Sequence, residues 1–429
     1  MEEAAVLPPS QLPRGSLRSR LMPRSDGRRI RPETLAFTLV LGLLGALPPL
    51  SIDISAPTLL VVQGQMQTSA SLVGMVITLF MVGFAIGQFA GGPVSDHHGR
   101  RPVLLIGLFA YTSAAIGCSL AGSITTLIGW RLVQGVGAGA CAVLTFAMIR
   151  DLFEGDQARA KRSYITVVFG LAPMLAPLLG AWILDQAGWR LVYLVLSVGG
   201  FLLLLAVMFG VAESRTPALG SSAGMLRRSY GAVLSNRRFV GMVTVNALSF
   251  AAIFAYIAGS PLVLMGSLSL TPTGYGQVFA CTAAMLTLGA WCSGQCAQRG
   301  VPGPALLWTG LGAGALSAAG LLLLMRLHCE SLPVLLVPLM LHLFARGLTA
   351  PNLQHLALEP MREQAGTASA TMGVIQILCG ALSSAIVALL LPLLGPGAMA
   401  LIMAVAGGAA LLLWAALWWS LDAGPAGSS

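Results

Sequence analysis

The feature that most constrains this chain is a series of long apolar runs separated by short polar segments. A helix needs about 20 apolar residues to cross roughly 30 Å of hydrocarbon, and twelve runs come near that length: 35–58, 72–94, 103–121, 125–148, 164–183, 191–211, 239–258, 276–295, 304–325, 332–354, 367–391 and 397–420. The runs are continuous rather than alternating, which excludes a transmembrane β-barrel. Only 9% of the residues are charged, against roughly a quarter in soluble domains. The sequence therefore predicts an all-α, multi-pass membrane protein.

The basic residues are distributed by membrane side. Of the 24 Lys and Arg residues, most lie in the N-terminal tail and in the loops that an even-numbered topology places on that same side. Positively charged loops face the cytoplasm, so both termini are expected there. The net charge of +9 is spread along these loops rather than gathered into one surface, which argues against a nucleic-acid partner.

The chain divides into two sets of six apolar runs. We expect a cytoplasmic basic tail (1–34, starting at Met1 or Met22), a six-helix bundle (35–211), a cytoplasmic linker (212–238), a second six-helix bundle (239–420) and a short cytoplasmic tail (421–429). Similar stretches follow the second and eighth runs, "GGPVSDHHGRRP" and "SGQCAQRGVPGP". Two pseudo-symmetric halves with a cavity at the midplane are typical of secondary transporters.

Three charged side chains lie inside the apolar runs: Asp53, Arg131 and Arg346. Each costs about 2.5 to 3.5 kcal/mol at a helix centre, so a functional role is the default interpretation. At ~1.5 Å per residue, Asp53 and Arg131 both lie about 8 to 9 Å from the same membrane surface. We interpret Asp53 as the proton-coupling carboxylate and Arg131 as the fixed charge beside it; the alternative is a static ion pair that orients two helices.

The strongest local signal is the segment 91–102, "GGPVSDHHGRRP". Asp96, Arg100 and Arg101 are placed to form charge-assisted bonds between helix ends. Gly92 and Gly99 would permit a tight backbone there. Arg101 alone is equally well read as a determinant of membrane orientation.

This segment resembles the G-x-L-A-D-x-x-G-R-[KR] signature of major facilitator transporters. From about 35 to 420 the chain resembles the Bcr/CflA-type drug:proton antiporters, through "LGLLGALPPLSIDISAP", "WRLVQGVGAGA", "FAMIRDLF", "APMLAPLLGAW" and "AGTASATMG". The resemblance implies that Asp96 and Arg100, with Asp151, form a conformational latch, and that the positions of Asp53 and Arg131 are associated with proton coupling. It also implies a bacterial inner membrane as the location.

The fifth apolar run contains "GLAPMLAPLLG", which resembles the antiporter motif of exporters. Pro173 and Pro177 each remove a helix hydrogen bond and predict a bend. Gly170 and Gly180 would allow close helix packing.

The substrate cavity is harder to define from sequence. His342 and Arg346 lie one turn apart on one face of the tenth run. No acidic residue of the C-terminal half lies at a depth that would pair with Arg346, so we expect it to bind an anionic substrate group or backbone carbonyls; the alternative is a charge near the inner helix end that snorkels to the membrane surface. Further cavity candidates are polar residues on helices expected to line the centre: Gln134, Asn246, Tyr256 and Asn352.

The predicted function is proton-coupled export of small amphipathic compounds, with amphenicol-like or bicyclomycin-like substrates, by a monomer. The sequence has no G-x-x-x-x-G-K-[ST] loop for ATP and no H-E-x-x-H zinc motif, so we expect an ion gradient as energy source, no cofactor and no metal. The alternative within transporters is a dedicated exporter or importer of a small metabolite such as an amino acid. An intramembrane enzyme is disfavoured because no nucleophile–base pair shares one depth, and a receptor or scaffold would make no use of the charge of Asp53.

Overall fold

The computed structural model describes residues 30–214, 230–329 and 331–422. Twelve long helices account for most of these residues: α1 Leu35–Asp53, α2 Ala70–His98, α3 Arg100–Ser119, α4 Ile124–Leu152, α5 Gly155–Ala187, α6 Trp189–Gly210, α7 Arg237–Ser260, α8 Pro272–Gln298, α9 Gly303–Arg326, α10 Leu332–Leu358, α11 Ala365–Leu394 and α12 Gly397–Asp422. Eleven of the helices in the described part are long and apolar enough to cross a membrane. The exception, α8, packs along α5 and α10. The predicted all-α membrane fold is confirmed.

The first span differs from the prediction, which ended it at residue 58. Helix α1 ends at Asp53, and the chain continues through a 3₁₀ turn, Ala56–Thr58, into a short helix, Leu59–Gln65. Pro57 has no N–H with which to continue the hydrogen bonding of α1, so the helix is interrupted there. Asp53 therefore lies at a helix break rather than inside a regular helix.

The predicted loop at 95–102 is almost absent. Helix α2 continues to His98 and α3 begins at Arg100, so only Gly99 separates them. Gly99 has φ +91, a conformation that glycine adopts without strain. The expectation for Gly92 was wrong, because it lies inside α2 and a Cβ there would contact nothing within 4 Å.

Helices pack mainly with others of their own half of the sequence. Helix α4 packs along α2 and α3, and α5 along α1; in the later part, α7 packs along α11 and α12, and α10 along α8 and α9. The contacts that join the earlier helices to the later ones run chiefly along α2–α11 and α5–α8. In the first of these, Thr78 donates a hydrogen bond of 2.9 Å to Ser384.

Two helix crossings are built in the same way. In the α2–α4 crossing, a Cβ on Gly83 would approach the backbone of Leu132, and a Cβ on Gly135 would approach that of Phe80. In the α8–α10 crossing, glycines face the partner backbone with the same reciprocal spacing: Gly289 against Phe344 and Gly347 against Leu286. Small residues let membrane helices come into backbone contact. The repeated arrangement fits the internal similarity of the sequence.

The predicted tail and linker fall largely outside the described residues. Residues 1–29, 215–229 and 423–429 are in this group, and Met1 and Met22 are among them. The domain boundaries proposed from sequence stay a prediction.

Candidate functional site

Asp53 lies at the C-terminal end of α1 and is only 3% exposed. Within the described residues its carboxyl group forms no hydrogen bond and no ion pair. Gly180 of α5 packs against the backbone of Ile54, so that a Cβ at position 180 would collide with the Ile54 carbonyl oxygen. The backbone directly after α1 thus packs closely against α5.

Arg131 on α4 is fully buried but does not pair with Asp53. Its guanidinium donates to the carbonyl oxygen of Ser51 at 3.2 Å, to Gln134 Oε1 at 2.9 Å and to Ser55 Oγ at 3.3 Å. Its Nε donates to the carbonyl oxygen of Val76, and the group lies 4.3 Å from the centre of the Phe80 ring. All these acceptors are neutral.

The static ion pair considered from sequence is therefore absent from this conformation. Ser51 lies two positions before Asp53 on α1, about 200° away around the helix axis at ~3.6 residues per turn. Ser55 lies in the turn after α1, where its Oγ donates to the carbonyl oxygen of Ser51 at 2.9 Å. Arg131 binds the Ser51 and Ser55 face of the α1 end, and Asp53 lies on the other face. Equal depth, which the sequence indicated, does not bring the two groups into contact.

The segment that follows Asp53 lies against the later set of helices. The short helix Leu59–Gln65 contacts the segment Pro261–Ser267 at the end of α7. Helix α8 also contacts the turn Ala56–Thr58. Gly276 of α8 packs against the backbone of Pro177 on α5: a Cβ placed on Gly276 would lie 3.0 Å from the Pro177 carbonyl oxygen. The chain directly after Asp53 thus lies where the earlier helices meet the later ones.

Arg346 on α10 is 5% exposed and is held by α7. Its Nη1 and Nη2 each donate to Asn246 Oδ1 at 3.1 Å. Asn246 in turn donates to Gln376 Oε1 on α11 at 2.8 Å. The guanidinium therefore binds a side-chain amide oxygen. The acceptors expected from the sequence were an anionic substrate group or backbone carbonyls.

His342 lies beside Arg346 in a small cavity between α7, α9, α10 and α12. Its Nδ1 bonds the carbonyl oxygen of Gly314 at 3.0 Å, which fixes the ring as part of the helix packing. The cavity is lined by these two side chains and mainly by small residues, among them Gly310, Gly314 and Gly407. It lies within the later set of helices rather than between the two sets.

The other cavity candidates are held within their own helix sets. Gln134 binds Arg131, and Tyr256 bonds Thr282 at 2.8 Å across α7 and α8. Asn352 donates to Ser293 on α8 at 2.8 Å. Its Oδ1 would lie 3.4 Å from a Cβ placed on Gly303 of α9.

The structure brings Asp96, Arg100 and Asp151 together at the junction of α2, α3 and α4. Arg100 is 1% exposed; its Nη1 lies 2.8 Å from Asp96 Oδ1 and its Nε 2.9 Å from Asp151 Oδ2. Ser95 also accepts a hydrogen bond from Arg100. Charge-assisted bonds of this kind are roughly twice as strong as neutral ones, so the cluster ties three helix ends together.

Glu213, which the sequence reading missed, completes this junction. Its two carboxylate oxygens accept from the backbone N–H groups of Arg100 at 2.8 Å and Arg101 at 3.0 Å. A carboxylate at a helix N-terminus satisfies free N–H groups and is stabilised by the helix dipole. Arg101 uses its side chain differently, donating to the carbonyl oxygen of Met208 on α6. The only sequence signal was an acidic residue directly after the sixth apolar run.

Replacing Glu213 by Gln should destabilise the protein by about 1 kcal/mol, because the amide removes the charge and turns an NH₂ group towards N–H donors. The thermal midpoint of the purified protein in detergent is the measurement. Glu33→Gln is the matched control, since Glu33 is exposed at the start of the described chain. Equal midpoints for the two variants would contradict the capping role.

The structure agrees with only some of the roles predicted for the α5 residues. Pro173 and Pro177 both lie within the helix, and Gly180 makes the close approach to Ile54 already described. Gly170 does not pack closely, because a Cβ there would contact nothing within 4 Å. The expectation for Gly170 was wrong: it lies on a stretch of α5 without a neighbouring backbone.

Comparison with known proteins agrees with this architecture. Residues 41–386 match the Major Facilitator Superfamily. The chain belongs to the major facilitator superfamily. It is a membrane transporter and not an enzyme.

Among its relatives is the Uncharacterized MFS-type transporter YdgK of Bacillus subtilis (strain 168), 32% identical over 83% of this chain and 89% of that protein. The Bicyclomycin resistance protein homolog of Haemophilus influenzae is 27% identical, with the same coverage of each chain. The fold is similar to the crystal structure of a D-xylose-proton symporter, with TM-score 0.72, 18% identity, and coverage of 88% of this chain and 97% of that one. The likeness to the Bcr/CflA type of drug-efflux transporter is confirmed by these relatives.

Proposed function

We propose that this protein exports small amphipathic compounds in exchange for protons, across a bacterial cytoplasmic membrane. The observation that carries the proposal is Asp53, a buried carboxyl group without a bonding partner among the described residues, directly before the segment at which the two sets of helices meet. An isolated buried carboxylate is costly, so such a group remains buried most easily as the neutral acid. It becomes free to ionise when the helices around it part.

The proposed cycle follows from this property. With the site open to the cytoplasm, a compound binds and the proton of Asp53 leaves. After the helices rock, the site faces outward, Asp53 takes a proton from that side, and the compound is released. The protonated transporter then returns. No ATP-binding loop is present in the sequence, so the proton gradient supplies the energy.

Arg131 has an indirect role in this cycle. It holds the Ser51 and Ser55 face of α1 and so fixes the position of the helix break that carries Asp53. The cluster of Asp96, Arg100 and Asp151, capped by Glu213, would hold α2, α3 and α4 as one unit during the rocking motion. Topology supports cytoplasmic termini, because the basic loops lie on one side.

The class of compound is supported by the bicyclomycin-resistance relative, whose name describes that relative alone. Arg346 is bound by Asn246 and is not offered to an anionic ligand in this conformation, which favours amphipathic compounds over an amino acid.

The test is proton release from everted membrane vesicles, measured with a pH-sensitive acridine dye. Amphenicols, bicyclomycin, lipophilic cations and, for the alternative function, amino acids are added in turn to energised vesicles with and without the protein. We expect at least one compound to collapse the pH gradient only when the protein is present. If none does while amino acids do, the protein is a metabolite carrier; if nothing does, proton antiport is refuted.

A further inference from the structure

The last residues of the linker form a short helix of their own before α7. Residues 230–235 are helical, and Asn236 separates them from α7. The side chain of Asn236 accepts from the backbone N–H of Phe239 at 2.9 Å, and its own backbone N–H donates to the carbonyl oxygen of Val233 at 3.3 Å. Asparagine is a favoured residue at the start of a helix for this reason. The short helix is therefore joined to the start of α7 by a defined turn.

Val233 attaches this short helix to the later set of helices. Its side chain is fully buried, in one apolar cluster with Phe239 and Met242 of α7 and Leu353 of α10. Removal of a valine side chain from water is favourable. The short helix therefore stays with the later set when the two sets move relative to each other.

Tyr230, at the other end of the short helix, reaches the earlier set. Its ring lies 6.0 Å from that of Phe89 on α2, centre to centre, with the ring planes tilted by 50°. Aromatic pairs attract at this separation. Phe89 is 56% exposed, so the packing of the core does not impose the contact. Residues 230–235 thus join the two sets of helices, with one end attached to each.

We propose that residues 230–235 act as a strap that favours closure of the linker side of the transporter, through the contact of Tyr230 with Phe89. Phe89 lies in the half of α2 that leads to the junction at Gly99. Separation of the two sets on this side must break the ring contact, because Val233 keeps the strap with the later set. The inference rests on the proposed function for the alternate opening of the two sides and for the cytoplasmic location of the linker.

Two further contacts between the sets on this side act beside the strap. A Cβ placed on Gly373 of α11 would lie 3.2 Å from Gln88 Nε2 of α2, and one on Gly366 would lie 3.0 Å from Arg150 Nη1 of α4. The strap therefore shifts the balance between the open and closed forms and does not determine it alone. From the usual strength of an aromatic pair, we expect its loss to change the ratio of open to closed protein by about 2- to 10-fold.

The deciding variant is Tyr230→Ala, which removes one ring and should raise the ratio of open to closed protein by that factor. The ratio is read from the distance distribution between two spin labels, measured by pulsed electron paramagnetic resonance on the purified full chain. The labels replace Gln157 near the start of α5 and His355 near the end of α10, which are both exposed. They are attached to a ketone-bearing amino acid, so the seven cysteines stay in place.

Further variants separate the ring contact from a general loss of packing. Phe89→Ala should shift the ratio as Tyr230→Ala does, and the double variant should shift it no further, because all three lack the same contact. Tyr230→Phe keeps the ring and should give the wild-type distribution. Phe209→Ala is the matched control: Phe209 is exposed near the end of α6 and pairs with no other ring of the described chain, so its loss should leave the ratio unchanged.

An unchanged ratio in either folded alanine variant, additive shifts in the double variant, or an equal shift in Phe209→Ala would overturn the proposal. Should one alanine variant fail to fold, the other decides, with Tyr230→Phe and Phe209→Ala as its controls. The distance measurement needs neither a transported compound nor a proton gradient. Vesicles that release no protons with any compound would therefore contradict proton antiport and leave the result for the strap as it stands.

Discussion

Asp53→Asn is expected to abolish substrate-induced proton release while the protein folds and inserts normally. Asparagine has nearly the shape of the protonated acid but cannot ionise, so it can occupy the same buried position while the proton exchange is lost. In everted vesicles the dye signal should fall to that of vesicles without the protein. The thermal midpoint should stay at or above that of the wild type, because a buried ionisable group has been removed.

The matched control is Asp185→Asn. Asp185 is exposed near the end of α5 and accepts a hydrogen bond from Thr273, which the amide oxygen of asparagine can also accept. This variant should release protons as the wild type does. Normal proton-coupled export by folded Asp53→Asn would refute the role of Asp53, and loss of activity in both variants would show that the assay reports a general defect.

Helix number and type could be predicted because length and apolar content decide them in a membrane. The ends were less predictable. His97 and His98 are polar and still lie in α2, because polar residues at a helix end reach water without leaving the helix. The break after Asp53 needed the structure, since three prolines in one run do not say which of them interrupts it.

Depth could be predicted for Asp53 and Arg131, but direction around the helix axis could not. Helix α1 is apolar and buried on most of its surface, so its sequence has no polar stripe that would identify the inward face. Glu213 shows a second limit. Its carboxylate accepts from the backbone N–H groups of Arg100 and Arg101, which lie 113 and 112 positions earlier in the sequence. No local pattern encodes so distant a partner.

Gly135→Ala is expected to cause the largest loss of stability among the substitutions considered. A Cβ at this position would lie under 3.0 Å from the backbone of Phe80 and Phe84 on α2. Backbone atoms of a packed helix cannot turn aside, so α2 and α4 would have to separate, and overpacking of this kind costs about 1 to 3 kcal/mol. The separation would also disturb Arg131, one turn earlier on α4, which bonds the α2 carbonyl of Val76.

Gly129→Ala is the matched control, because it adds the same methyl group to the same helix. A Cβ on Gly129 would contact nothing within 4 Å, so this variant should melt at the wild-type temperature and elute as a single peak in detergent. Gly135→Ala should melt several degrees lower, with part of the protein aggregated. If both variants melted alike, the α2–α4 crossing would tolerate a wider separation than its reciprocal glycines indicate. The position of Arg131 would then not depend on the close approach of these two helices.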